Sequence, residues 1–83
     1  MELNELREKI KESDKKAGWD KTEFKQLIHF MQEELDNLKS SSKNKNRVNH
    51  LLADLLILII QISYRYDTNF DSEIEKWLNE QKK

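Results

Sequence analysis

Six consecutive apolar residues, Leu55 to Ile60 (LLILII), lie inside a segment from about Arg47 to Tyr66 that contains no Pro and no Gly. At about 3.6 residues per turn, a helical run of six passes right round the cylinder. Such a helix has no side that belongs in water. Burying one aliphatic side chain contributes about 1.5–3 kcal/mol, and a small domain is stable by only about 5–15 kcal/mol in total. Leaving half of the run wet would therefore cancel the net stability of the fold. The stretch Leu51 to Ile62 is also interrupted by Asp54 and Gln61. It falls well short of the ~20 apolar residues that span a bilayer, so a buried helix is expected and no membrane partner. The simplest cover for it is a second copy of the chain, in a dimer or tetramer.

The length sharpens that expectation. A chain of 83 residues makes one domain, 1–83, and so small a domain buries a modest share of its surface by itself. Small folds compensate with disulfides, metals or oligomers. With no Cys, disulfides and thiolate sites are excluded, as is Cys nucleophilic chemistry, and a reducing, cytoplasmic setting fits. The N-terminal MELNELREKIKE mixes acids and bases without an apolar core, unlike a signal peptide. Charged residues form 37% of the chain, yet the net charge is −1. That balance argues against nucleic acid, which calls for a basic face.

The pattern predicts an all-α fold, an antiparallel helical hairpin with flanking helices. A first helix spans about Leu3 to Lys16 on a thin stripe of Leu3, Leu6 and Ile10, with Gly18 as its C-terminal stop. A second begins near Asp20 or Thr22, where Asp20 and Glu23 have capping-box spacing. Its apolar face is Phe24, Leu27, Ile28, Met31, Leu35 and Leu38. The polar stretch SSSKNKN, Ser40 to Asn46, reads as a flexible loop. After the greasy third helix, Asp67-Thr68-Asn69 forms a turn with Asn69 as N-cap. A last helix, Phe70 to Gln81, places Phe70, Ile74, Trp77 and Leu78 on one face. Packed subunits of this kind would form a four-helix-bundle type of oligomer, with Phe30, Leu55, Leu58, Ile59 and Ile62 at the interface. Trp19, Trp77, Tyr64 and Tyr66 are expected to pack.

The third helix carries one polar seam. His50, Asp54, Gln61 and Arg65 recur at spacings of four, seven and four. On the second helix Glu34 and Asn37 sit beside the apolar stripe. Carboxylates placed this way can converge inside a helical bundle on a hard cation. A polar seam is also what a solvated face looks like, and His50 four residues before Asp54 suits a plain ion pair.

Three segments carry a resemblance: EELDNL from Glu33, the SSSKNKN loop, and HLLADLL from His50. Together they resemble the MazG-type all-α nucleotide pyrophosphohydrolases, and Gly18-Trp19-Asp20 and YDTNFDSEIEKWLN extend the likeness. The family carries an E-x-x-E pair on one helix and an E-x-x-D pair on the next. Its members split nucleoside triphosphates into monophosphate and pyrophosphate with Mg²⁺ held by those carboxylates. The resemblance implies Mg²⁺ ligands at Glu34, Asn37 and Asp54, with Glu34 and Asp54 as catalytic carboxylates. It implies nucleotide contacts from Lys76 and Asn79, and His50 and Arg65 are candidate phosphate contacts by their own chemistry. Asn37 and Leu51 stand where the family has acids, so the metal site is degenerate. An oxygen site depends strongly on ligand charge, and the cation must polarise a phosphoryl group and activate water. The expectation is therefore nucleoside triphosphate and Mg²⁺ binding with weak or lost hydrolysis. The alternative is a non-catalytic, oligomeric helical interaction protein: a nucleotide sensor or sponge, or an inhibitor of a partner protein, of a kind suited to a phage or mobile element.

Overall fold

The computed structural model describes residues 3–81 and is all-helical across them. Four α-helices follow in order: α1 Leu3–Ala17, α2 Phe24–Lys39, α3 Lys45–Ser63 and α4 Phe70–Gln81, with a 3-10 turn at Trp19–Lys21 after α1. Helices α2 and α3 form the antiparallel hairpin, while α1 packs on α3 and carries α4. The body measures 36 × 35 × 21 Å. Its thin dimension is about two helix diameters of ~10–12 Å, so most side chains lie near a surface.

Local chemistry explains each boundary. Gly18 closes α1 in the left-handed region at φ 80°, where a Cβ is disfavoured, and its N–H reaches Lys15 O at 3.3 Å. The expected Asp20–Glu23 capping box does not form. Asp20 lies in the 3-10 turn, and α2 starts at Phe24 behind Glu23, which makes no side-chain cap bond. The 40–46 segment is more ordered than its composition suggests. Ser41 is buried: its Oγ donates to Asn37 O at 2.7 Å and accepts from Arg47 Nε at 3.0 Å. Asn44 then caps α3 by accepting from Arg47 N at 3.1 Å, so α3 begins at Lys45, earlier than expected. It ends at Ser63, and Asp67 takes a left-handed turn conformation at φ 49°, a region that Asp tolerates better than most residues.

Asn69 caps α4 as its position suggests, accepting from Ser72 N at 3.0 Å. The start of α1 holds this corner: Asn4 Nδ2 donates to Asn69 Oδ1 at 2.9 Å, Asn4 Oδ1 accepts from Phe70 N at 2.9 Å, and Arg7 donates to Thr68 O.

The core is small. Leu27, Leu51, Leu55, Ile60 and Tyr64 are the buried hydrophobic residues among those described. Ile60 is fully enclosed at 0% exposure, whereas Leu52, Leu56, Ile57 and Ile59 on the same helix remain 40% or more exposed. The chain thus covers part of the apolar circumference of α3 and leaves the rest open. Trp19 and Trp77 are not packing anchors within the chain: they are 61% and 58% exposed. Tyr64 packs as expected, and Tyr66 is exposed but meets Phe24 edge-on at 5.9 Å.

Ile60→Ala should leave a cavity that cannot collapse and lower stability by about 2–5 kcal/mol. Urea denaturation measures this; a loss below about 1 kcal/mol would place Ile60 outside the core.

Candidate functional site

The polar seam of α3 divides into two parts with different work. At the C-terminal end it is structural. Arg65 Nη2 donates to the carbonyls of Trp19, Asp20 and Thr22 at 3.4, 3.1 and 2.8 Å, and Nη1 donates to Gln61 O. The guanidinium also lies 4.9 Å over the Tyr64 ring. A planar fork with several fixed donors suits this task. Arg65 therefore pins the 19–22 turn onto α3, with a bond from each of its Nη nitrogens.

Beside it sits Asp14, from the exposed-looking first helix, at 3% exposure. Its two oxygens accept from Gln61 Nε2 at 3.2 Å and Tyr64 Oη at 2.6 Å. Asp14 continues the Leu3–Leu6–Ile10 stripe at four residues beyond Ile10, which was the one available signal that this acid turns inward. Burial, and then the bond to Asp14, push the Tyr64 phenol up to about 12.

The middle of the seam borders a cleft between α2 and α3. One pocket, of about 250 Å³, is lined by Phe30, Glu34, Asp54, Ile57, Leu58 and Gln61. A second, of about 480 Å³, is lined by Trp19, Thr22, Gln26, Leu27, Phe30 and Gln61. They share Phe30 and Gln61 and so adjoin, together making up the cleft, with Glu34 and Asp54 lining one pocket and the Trp19 ring the other. Glu34 Oε2 is buried with no hydrogen-bond partner among the described residues, a costly state for a carboxylate oxygen unless something occupies the pocket. Asp54 pairs with His50 Nε2 at 3.2 Å.

The expected site residues are only partly gathered. Glu34 and Asp54 share a pocket, whereas Asn37 does not line it and Leu51 is in the core. Lys76 and Asn79 are exposed on α4; Lys76 pairs with Glu73 at 3.4 Å. Neither lines the cleft. Of the expected interface residues, Leu55 is buried in the chain's own core at 8% exposure and has little left for a partner. Leu58 and Ile62 are half-buried, Ile59 is exposed, and Phe30 faces the cleft. Trp19 and Thr22 join Gln26 of α2 in the cleft because Arg65 holds their turn against α3, a long-range contact that spacing along the chain does not announce.

As a metal centre the donor set is incomplete. Among the described residues no group of three or more His, Asp or Glu side chains is placed to hold an ion, and no Lys or Arg lines either pocket. Two carboxylates do not make a self-standing site for a hard divalent cation, which takes six or more oxygens. They suit an ion that arrives with ligands of its own. No helix of the described residues is long and apolar enough to cross a membrane. No protein-family model matches this chain, and no curated protein or solved structure matches it either.

The Tyr64 shift has a measurable sign. The folded-state pKa is raised, so its stabilisation is complete below pH 10 and is lost as pH climbs towards 12. Tyr64→Phe should cost about 1–3 kcal/mol near neutrality, because Asp14 loses a donor. The gap between the two proteins should narrow between pH 10 and 12. Denaturation midpoints measured across that range test this; a constant gap would contradict it.

Proposed function

We propose that this chain is a reduced MazG-like protein that binds a nucleoside triphosphate together with its Mg²⁺ in the α2–α3 cleft, with hydrolysis weak or lost. The observation that carries this reading is the shared pocket of Glu34 and Asp54, joined through Phe30 and Gln61 to an aromatic pocket. Trp19 and Phe30 offer faces on which a planar base can stack, a contact worth about 1–3 kcal/mol where it has been tested on single strands. Glu34 and Asp54 supply two oxygens to a cation whose remaining positions are filled by phosphate oxygens and water. With no basic side chain lining the cleft, the phosphate charge is offset by that cation and not by Lys or Arg. In this reading the two missing carboxylates, at Asn37 and Leu51, weaken the hold on the transition state more than on the ligand.

The working unit in this proposal is a homo-oligomer. Leu52, Leu56 and Ile59 are exposed at spacings of four and three, the spacing of a helix-packing seam. They lie roughly 180° round α3 from Asp54 and Gln61 at about 100° per residue. A second copy seated there leaves the cleft open. The same exposed seam favours the alternative, an oligomeric interaction protein without nucleotide chemistry.

Calorimetry with a panel of Mg²⁺–nucleoside triphosphates, paired with pyrophosphate release, separates the two. Saturable binding with little turnover is expected, weakened about tenfold or more by the Glu34→Ala, Asp54→Ala double substitution. No binding to any triphosphate, or binding untouched by that substitution, would remove the nucleotide function and leave the interaction protein.

A further inference from the structure

We propose that Gln61 is the specificity-determining residue of the cleft, selecting heterocycles that present an amino group over their oxo counterparts, and that buried Asp14 is the positioning residue that fixes this choice. The inference rests on the nucleotide reading above and adds the class of base.

A glutamine amide normally carries no fixed preference, because it can turn over and exchange its donor and acceptor ends. Gln61 is not free to do so. Its Nε2 donates to Asp14 Oδ1 at 3.2 Å, and a carboxylate only accepts. Turning the amide over would set oxygen against oxygen at a part-buried site. Asp14 has no freedom of its own either: its Oδ2 is held by Tyr64 Oη at 2.6 Å, within the contact between α1 and α3. The Tyr64 phenol, with its pKa pushed up to about 12, remains a donor at neutral pH.

The amide orientation is therefore set from behind, and Oε1 is the end left for the cleft. Gln61 lines both pockets, and Oε1 is the amide end that is not bonded to Asp14. Among the described residues no donor is bonded to Oε1, and the atom is not among the buried, unpartnered ones. It is an accessible acceptor of fixed direction. Gln26, the other amide of the cleft, makes no side-chain bond among the described residues and can turn to suit any ligand. An amino group at Gln61 gains a hydrogen bond; a carbonyl in the same place meets lone pairs with lone pairs. The difference of one neutral hydrogen bond in a partly open site corresponds to roughly three- to tenfold in affinity.

Asp14→Asn tests the direction of the argument. The amide introduced there can accept from Tyr64 Oη through its oxygen while its NH₂ donates towards Gln61, so Gln61 can turn and present its own NH₂ to the cleft. Affinities are measured for the Mg²⁺ complexes of CTP against UTP and of ATP against ITP. The wild-type chain should favour the amino member of each pair by roughly three- to tenfold. Asp14→Asn should abolish or reverse that preference, which a purely structural role would leave intact. Gln61→Leu should level both pairs, and serves if Asp14→Asn does not fold. Equal binding of both members by the wild-type chain, or an unchanged preference in the variants, overturns the proposal while nucleotide binding stands. Absence of binding by all four nucleotides overturns both.

Discussion

The uneven covering of α3 governs the rest of the structure. One helix is far more apolar than the rest, and three other helices of the described residues are there to shield it. Helix α2 packs along it as the hairpin partner, and α1 packs against it with the Asp14 contact at its C-terminal end. Leu51, Leu55 and Ile60 are enclosed, while Leu52, Leu56, Ile57 and Ile59 are not. In a body 21 Å thick there is no third layer to finish the task. A lone chain is then held by a core of few side chains, and net stabilities of small domains leave little margin for that.

The same constraint shapes the cleft. Because α2 covers only one sector of α3, the flank bearing Asp54, Ile57 and Gln61 opens beside Phe30 and Glu34. The 19–22 turn could have swung away from this flank. Arg65 prevents it by bonding three of its carbonyls, and so brings Trp19 to the rim. Two of the seam's polar residues, Gln61 and Arg65, thus serve the fold and the cleft together: Gln61 bonds Asp14 and lines both pockets, and Arg65 holds the turn that carries Trp19. A buried Asp14 satisfied by neutral donors completes the arrangement, in keeping with the rule that buried polar groups need partners.

Much of the fold was legible from residue order, for identifiable reasons. The last helix runs from Phe70 to Gln81 as its spacing predicts, because Asn69 is a strong cap with a donor in reach. Gly18 marks a true stop because only a left-handed residue fits there. The His50–Asp54 pair follows from helical geometry alone. What escaped were contacts between distant segments. Asp14 reads as one more surface charge among lysines until α3 is placed against it. Arg65 reads as a phosphate ligand until the preceding turn folds beneath it. The expected Asp20–Glu23 cap yields to a 3-10 turn, since Asp20 O is taken up by Arg65. Of the candidate site, Glu34 and Asp54 line one pocket, while Asn37, Lys76 and Asn79 do not line it. Those three were placed by analogy with a family motif, and packing alone decides where a helix face ends up.

Sedimentation equilibrium, with helicity followed over the same dilution series, tests the central claim most directly. If the open sectors of α3 need a second copy, the chain is a dimer or larger at micromolar concentration, and helicity falls as dilution drives it to monomer. A fully helical, cooperatively folded monomer persisting across that range would contradict the account.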